Sequence, residues 1–232
     1  MRDEMLKIFE HSDWSRGKEG VSRSGFGATR HATRHIRNAM PRLLETYKVK
    51  RLVDAPCGDF FWMKYVDLTG VEYWGWEVSE SLIEANKKNY GSPTKHFSLG
   101  DITSDPFPDA DMLMVRDCLV LLKFDMRWAF FENFVASNIP WLLITSWIAP
   151  VNPWVYKNGG HKSHSMTAAP FSFGKPVEFI LETAKVLPEG EENNPDSLHR
   201  GMGVWHRDQI AARVAEFVAA GRPIDDPRKA AD

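Results

Sequence analysis

Cysteine is scarce in this chain. Cys57 and Cys118 are the only two among 232 residues, and neither belongs to a Cys-x-x-Cys pair. Their number and spacing argue against a disulfide framework and against a thiolate zinc site, so no metal is expected. The usage suits a reducing compartment, and the expected location is cytoplasmic. Long apolar runs are missing too. The longest, residues 139–147, is interrupted by Pro140, Thr145 and Ser146 and reads as a buried strand, not as a membrane span. The opening MRDEMLKIFEHSDW lacks the apolar core of a signal peptide. An excess of one charge is also missing: 29 Lys and Arg face 31 Asp and Glu, a net of −2. That balance argues against a dedicated nucleic-acid coat, against a polybasic membrane binder, and so against nucleic acid as the expected partner. Internal repeats and low-complexity segments are absent.

What remains is the composition of a globular protein, 43% hydrophobic and 26% charged, at a length suited to one domain or one domain with a lid. Nine Trp and fourteen Phe are many for this length, and such residues fill cores or line pockets. From Arg51 onward short apolar runs alternate with helical segments. Strands are expected at Arg51–Asp54, Glu72–Glu77, Lys95–Leu99, Met112–Val115, Trp141–Trp147, 177–185 and 202–206. Helices are expected over 31–48, with Pro41 kinking or restarting the first, and over 60–66, 79–90, 125–138 and 207–220. Ser79 or Ser81 with Glu84 reads as a capping box. This alternation predicts a parallel sheet covered on both faces. Residues 148–176, rich in Pro and Gly, read as a lid or binding loop.

The most informative stretch is Leu52-Val53-Asp54-Ala55-Pro56-Cys57-Gly58-Asp59-Phe60. It leaves an apolar strand and turns tightly, where the ligand crevice of an open α/β sheet lies. Gly58 lets a ligand approach the backbone. Pro56 and Phe60 stand where a dinucleotide fold would carry glycines, which disfavours a diphosphate cofactor and leaves an adenosine ligand without phosphate open. Glu77 ends the second strand, 23 residues after Asp54, where an acid accepts hydrogen bonds from ribose hydroxyls. Asp101, in Leu99-Gly100-Asp101-Ile102, is placed to receive an adenine amino group.

Taken together, Asp54–Asp59, Gly75–Ser79, Gly100–Ile102 and Asp111–Leu122 resemble the class I S-adenosylmethionine-dependent methyltransferases. The run from Asp54 to Met63 resembles a bacterial branch with a D-x-P-C-G-D-x-x-W-M signature. The branch also carries a Ser/Gly loop, here residues 22–29, an R-D-C-L segment, here Arg116-Asp117-Cys118-Leu119, and a late Gly-x-Trp strand, here Gly203-Val204-Trp205. The resemblance covers roughly residues 14–206.

It implies an α/β fold: a Rossmann-like, seven-stranded, mostly parallel sheet with helices on both faces and an N-terminal helical cap. The implied organisation is a loop and cap over 1–48, a Rossmann-like methyltransferase domain over 49–220 and a tail over 221–232. S-adenosylmethionine is the implied cofactor, bordered by Ser24, Gly25, Asp54, Ala55, Gly58, Glu77, Asp101, Ile102 and Arg116.

The implied acceptor is a small molecule or glycan methylated on oxygen or nitrogen. Two further readings stay open: a methyltransferase of RNA or protein, and a noncatalytic module that binds the same cofactor. Asp117 reads as a structural partner of Arg116 or as a proton acceptor. His161 and His164 read as loop histidines or as the base, and Trp147, Trp154 and Tyr156 as a wall of the acceptor pocket. Members of the branch often carry a His where this chain has Leu121. Arg30, Arg34 and Arg37 fall on one helical face. They read first as a solvated surface, and otherwise as a hold for a phosphate, a sugar nucleotide or RNA.

Overall fold

A computed structural model describes residues 6–7, 22–155, 157–182 and 200–222. Seven strands form one sheet: β1 (Arg51–Asp54), β2 (Glu72–Glu77), β3 (Lys95–Leu99), β4 (Met112–Val115), β5 (Trp141–Trp147), β6 (Glu178–Leu181) and β7 (Arg200–His206). Their spatial order is β3-β2-β1-β4-β5-β7-β6. The strands from β3 to β5 pair in parallel, while β7 runs antiparallel to both β5 and β6. Four α-helices of 11 to 13 residues pack with it among the described residues: α1 (Arg34–Thr46), α2 (Glu80–Tyr90), α3 (Phe124–Ala136) and α4 (Arg207–Ala219). This is the expected Rossmann-like, mostly parallel sheet with helices on both faces.

Strand alternation divides the core in two. Leu52, Met112, Met114, Leu143, Met202 and Val204 face a layer containing Ile36, Met40 and Leu43 of α1 and Ile83 of α2. Val53, Leu113, Val115, Leu142, Ile144 and Trp205 face a second layer, built from Phe130, Phe131 and Phe134 of α3 and Ile210, Val214 and Phe217 of α4. Both faces are apolar because both are covered, which is why the strands read as continuous hydrophobic runs. Helix α1, expected as a cap, packs on one face of the sheet.

Several local expectations change. Pro41 lies inside α1 without splitting it. The helix expected over 60–66 is only a short 3-10 turn, Met63–Tyr65. Ser79 precedes α2, but its hydroxyl pairs with that of Ser81 at 3.0 Å and makes no cap bond, so the expected capping box does not form. Strand β6 is shorter than 177–185, of which 183–185 lie outside the described residues. Strand β7 begins earlier than residue 202, because Arg200 and Gly201 pair with Trp147 and Ser146. A reciprocal cap that the sequence reading missed opens α4: His206 accepts from Asp208 N, and Gln209 accepts from His206 N. No helix among the described residues is long and apolar enough to cross a membrane.

Strands run outward from β1 to β3, and the chain then returns to place β4 on the other side of β1. That reversal opens a crevice beyond the carboxyl ends of β1 and β4, where ligands bind in open α/β sheets.

Candidate functional site

The crevice is built on the turn after β1. Asp54 ends the strand 3% exposed, and Tyr73 Oη donates to its Oδ2 at 2.6 Å. Burial pushes the Asp54 carboxyl up to about 7, against the opposing pull of the Tyr73 hydrogen bond and of Arg116. Two bonds then clamp the turn at Gly58. Its N–H donates to Glu77 Oε2 at 3.1 Å, and its carbonyl accepts from Asn86 Nδ2 of α2 at 2.8 Å. Gly58 sits at φ +55°, and a Cβ there would lie 3.0 Å from Ser24 Oγ. Both facts favour glycine at this position.

Glu77, at the tip of β2, is 3% exposed. Besides Gly58, Val78 N donates to its Oε1 at 2.8 Å. Burial raises its carboxyl above the usual range, and the backbone N–H groups of Val78, Gly58 and Ser79 oppose that rise. A carboxylate offers about four lone-pair sites, so acceptor capacity remains for a ligand's hydroxyls. Beyond β3, Asp101 Oδ1 accepts from both the N–H (2.9 Å) and the hydroxyl (2.6 Å) of Thr103. These bonds fold the chain so that buried Asp101 and Ile102 border the crevice.

The loop over the crevice is tied down by a residue that the sequence reading left without a role. Asp59 accepts from Ser22 Oγ at 2.9 Å and from Arg23 N at 3.1 Å. Ser24 N in turn donates to Ser22 Oγ at 3.0 Å. Only the acid in the turn, with a loop rich in hydroxyls elsewhere in the chain, hinted at this tie.

At the tip of β4, four charges meet. Arg116 Nε donates to Glu182 Oε1 at 3.0 Å, and Arg116 Nη1 lies 3.3 Å from Asp117 Oδ2. Arg200 donates to Asp117 Oδ2 and lies 3.2 Å from Glu182 Oε2. Arg116 also stacks over the Trp62 ring at 5.3 Å, and its buried Nη2 has no hydrogen-bond partner. Burial tends to raise the Asp117 carboxyl, but Arg200 and Arg116 outweigh it and hold the group below its usual value. A carboxylate stabilised in this way is a weak base. Of the two expected readings of Asp117, the geometry favours the ion-pair partner of Arg116, joined by Arg200, over the proton acceptor. Sequence reading missed Glu182, just past β6, and Arg200, which opens β7.

These elements enclose a cavity of about 310 Å³. Of the expected site residues, Ser24, Asp54, Gly58, Glu77, Asp101, Ile102, Arg116, Asp117 and His161 line it. Gly25, Ala55, His164, Trp147 and Trp154 do not, and Tyr156 lies outside the described residues. Ala55 is fully buried, its N–H bonded to Met114 O. Trp154 packs on Phe124 at 4.7 Å. Trp147 is 4% exposed and meets the rings of His161 and His164 at 6.0 and 5.7 Å.

His164 is corrected most clearly. It is 1% exposed, and burial followed by the Arg127 charge drives its imidazole well below the usual value. It is a neutral packing residue and does not reach the cavity. Among the described residues of the loop 148–176, Gly159 and His161 line the crevice. Cys118, Leu121, Leu122 and Met126 supply an apolar wall that the sequence reading left unassigned, although the departure at Leu121 pointed to it.

Neither a protein-family model nor a curated protein matches the chain. Solved structures do match in fold. Magnesium protoporphyrin IX methyltransferase from Synechocystis, with bound S-adenosylhomocysteine, superposes with a TM-score of 0.60 at 12% identity. That match covers 89% of this chain and all of the other. The methyltransferase domain of bacterial Hen1 gives 0.51 at 14% identity, covering 75% of this chain and 99% of that one. Human N-acetylserotonin methyltransferase, in complex with S-adenosylmethionine, gives 0.50 at 11% identity, covering 88% and 66%. At these identities the likeness is one of architecture, and the chain carries the Rossmann-like fold that these methyltransferases share.

Proposed function

We propose that the chain is an S-adenosylmethionine-dependent methyltransferase acting on an oxygen or nitrogen of a small molecule or glycan. One observation carries the reading. The buried Glu77 carboxylate, held by the backbone of the β1 turn, faces the switch-point cavity beside Gly58 and Asp101. That set of acceptors suits ribose hydroxyls with no diphosphate attached. Ile102 and the apolar wall at Leu122 and Met126 suit a flat heterocycle. Asp54 and Arg116 offer opposite charges, which suit the ammonium and carboxylate of an amino-acid moiety. The names of two similar structures, a magnesium protoporphyrin IX methyltransferase and an N-acetylserotonin methyltransferase, support a small acceptor.

When bound, the cofactor supplies a methyl group on an already electrophilic sulfonium carbon. The work left to this chain is alignment, exclusion of water and acceptance of one proton. His161 is the loop histidine placed at the cavity, so it takes the proton of an acceptor hydroxyl or amine, and Asp117 supports it electrostatically. The loop from Ser24 to Ala28, fastened by Asp59, covers the reacting centre.

A screen of sugar, phenol and amine acceptors for release of S-adenosylhomocysteine tests the proposal. Turnover with at least one class is expected. Cofactor binding without turnover on any acceptor would instead favour the noncatalytic module.

A further inference from the structure

Three cations lie against the ring of one exposed tyrosine, three residues after the cavity-lining Trp62. The Arg30 guanidinium lies 4.7 Å from the centre of the Tyr65 ring, Arg37 lies 5.9 Å away and Lys64 Nζ lies 5.3 Å away. The ring itself is 45% exposed. Arg37 is fixed by its own bonds, from Nε to Thr33 Oγ1 and from Nη2 to Arg30 O, and these hold the two arginines together in spite of their like charge. Burial, and after it the Arg30 charge, lowers the affinity of Arg37 for its proton. No carboxylate among the described residues forms an ion pair with Arg30, Arg37 or Lys64, although most other arginines in the fold have an acidic partner.

The cluster is joined to the cavity on two sides. Arg30 follows Gly27 and Ala28, which line the cavity, and Tyr65 lies one turn after Trp62, which also lines it, with Tyr65 N donating to Trp62 O at 3.1 Å. We infer that this cluster holds a phosphate group of the acceptor, so that the substrate class is a phosphorylated small molecule such as a sugar phosphate or nucleotide. This rests on the reading of the cavity as a methyl-transfer site.

Three cations that share one ring supply the charge that a phosphate dianion needs. An extended nucleic-acid strand would need a stripe of cations along a groove, which the chain's net charge of −2 does not favour. Three like charges held together destabilise one another in the absence of an anion, and a bound phosphate relieves that repulsion while leaving the reacting hydroxyl or amine inside the cavity.

The test is calorimetry on the full chain, with and without S-adenosylhomocysteine. The probes are inorganic phosphate and two matched pairs, uridine with uridine 5′-monophosphate and glucose with glucose 6-phosphate. The phosphorylated member of at least one pair should bind at least about tenfold more tightly, as expected for charge-assisted hydrogen bonds. The combined variant R30Q/R37Q/K64Q should lose that advantage and keep wild-type affinity for S-adenosylhomocysteine, while R34Q, on the exposed face of α1, should keep both. Absence of an advantage in both pairs, or its survival in the folded triple variant, overturns the inference. So does a single-stranded oligonucleotide that outcompetes the small probes with a salt dependence of more than about three phosphates. Loss of S-adenosylhomocysteine binding in the wild type would strike the methyltransferase reading itself. Intact cofactor binding without phosphate preference would strike only this inference.

Discussion

Replacing Glu77 separates its two tasks. In the folded chain its carboxylate accepts from Gly58 N at 3.1 Å and from Val78 N at 2.8 Å, and it faces the cavity with capacity to spare. In Glu77→Ala the ligand's hydroxyls lose their acceptor, at a cost of about 1–3 kcal/mol in binding. That corresponds to a rise of roughly 5- to 150-fold in the dissociation constant. The two backbone N–H groups lose their partner too, each at a similar order of cost, so this variant stands at risk of unfolding. Glu77→Gln keeps the side-chain volume and one acceptor oxygen, so it loses charge, half of its accepting capacity and one of the two backbone bonds, at a smaller cost in stability than Glu77→Ala. Titration calorimetry with S-adenosylhomocysteine, paired with thermal melting, reads both effects. The expected order of affinity is wild type, then Glu77→Gln, then Glu77→Ala. Unchanged affinity in either folded variant would refute the placement of the ribose.

Asp54 should give stability an unusual pH dependence. Its folded value, about 7, lies above the ordinary 3.8, so between those values the folded state binds more proton than the unfolded state. Stability from this group is therefore fully present below about pH 4 and is lost as pH rises toward 7, by about 4 kcal/mol in all. Denaturant unfolding of wild type and Asp54→Asn at several pH values isolates the effect, because Glu77 and Asp117 titrate in both. A difference that does not change with pH would contradict it. The two loop histidines should part company. His161→Ala should lower turnover with little change in melting temperature, whereas His164→Ala should lower stability by about 1–3 kcal/mol through loss of a buried ring. Kinetics and melting curves on both variants check this, and the reverse pattern would refute the assignment.

The parts of the fold legible in the sequence are those with a strong local pattern. Five strands, from Arg51–Asp54 to Trp141–Trp147, match the expected bounds because most are short runs rich in apolar, β-branched or aromatic residues. The turn at Gly58 and the acids at Glu77 and Asp101 were legible because a ligand crevice at the strand tips demands those residue types at that spacing. Long-range pairing was not legible. Nothing local in Glu182 or Arg200 shows that they close a charge cluster with Arg116 and Asp117, whose sequence positions are 66 and 83 residues away. The loop 148–176 misled for the opposite reason. Its aromatics looked like pocket residues, yet Trp147, at the end of β5, is buried and half-buried Trp154 packs on Phe124, since an aromatic gains from packing. The capping box at Ser79 failed because its hydroxyl found Ser81 instead.

The central claim is that the switch-point cavity takes an adenosine ligand without a diphosphate. Titration calorimetry of the full chain against S-adenosylhomocysteine and, separately, against NAD tests it most directly. The account predicts one-to-one binding of S-adenosylhomocysteine, weakened in Glu77→Gln, and no measurable heat with NAD. Tight binding of NAD with no affinity for S-adenosylhomocysteine would contradict it.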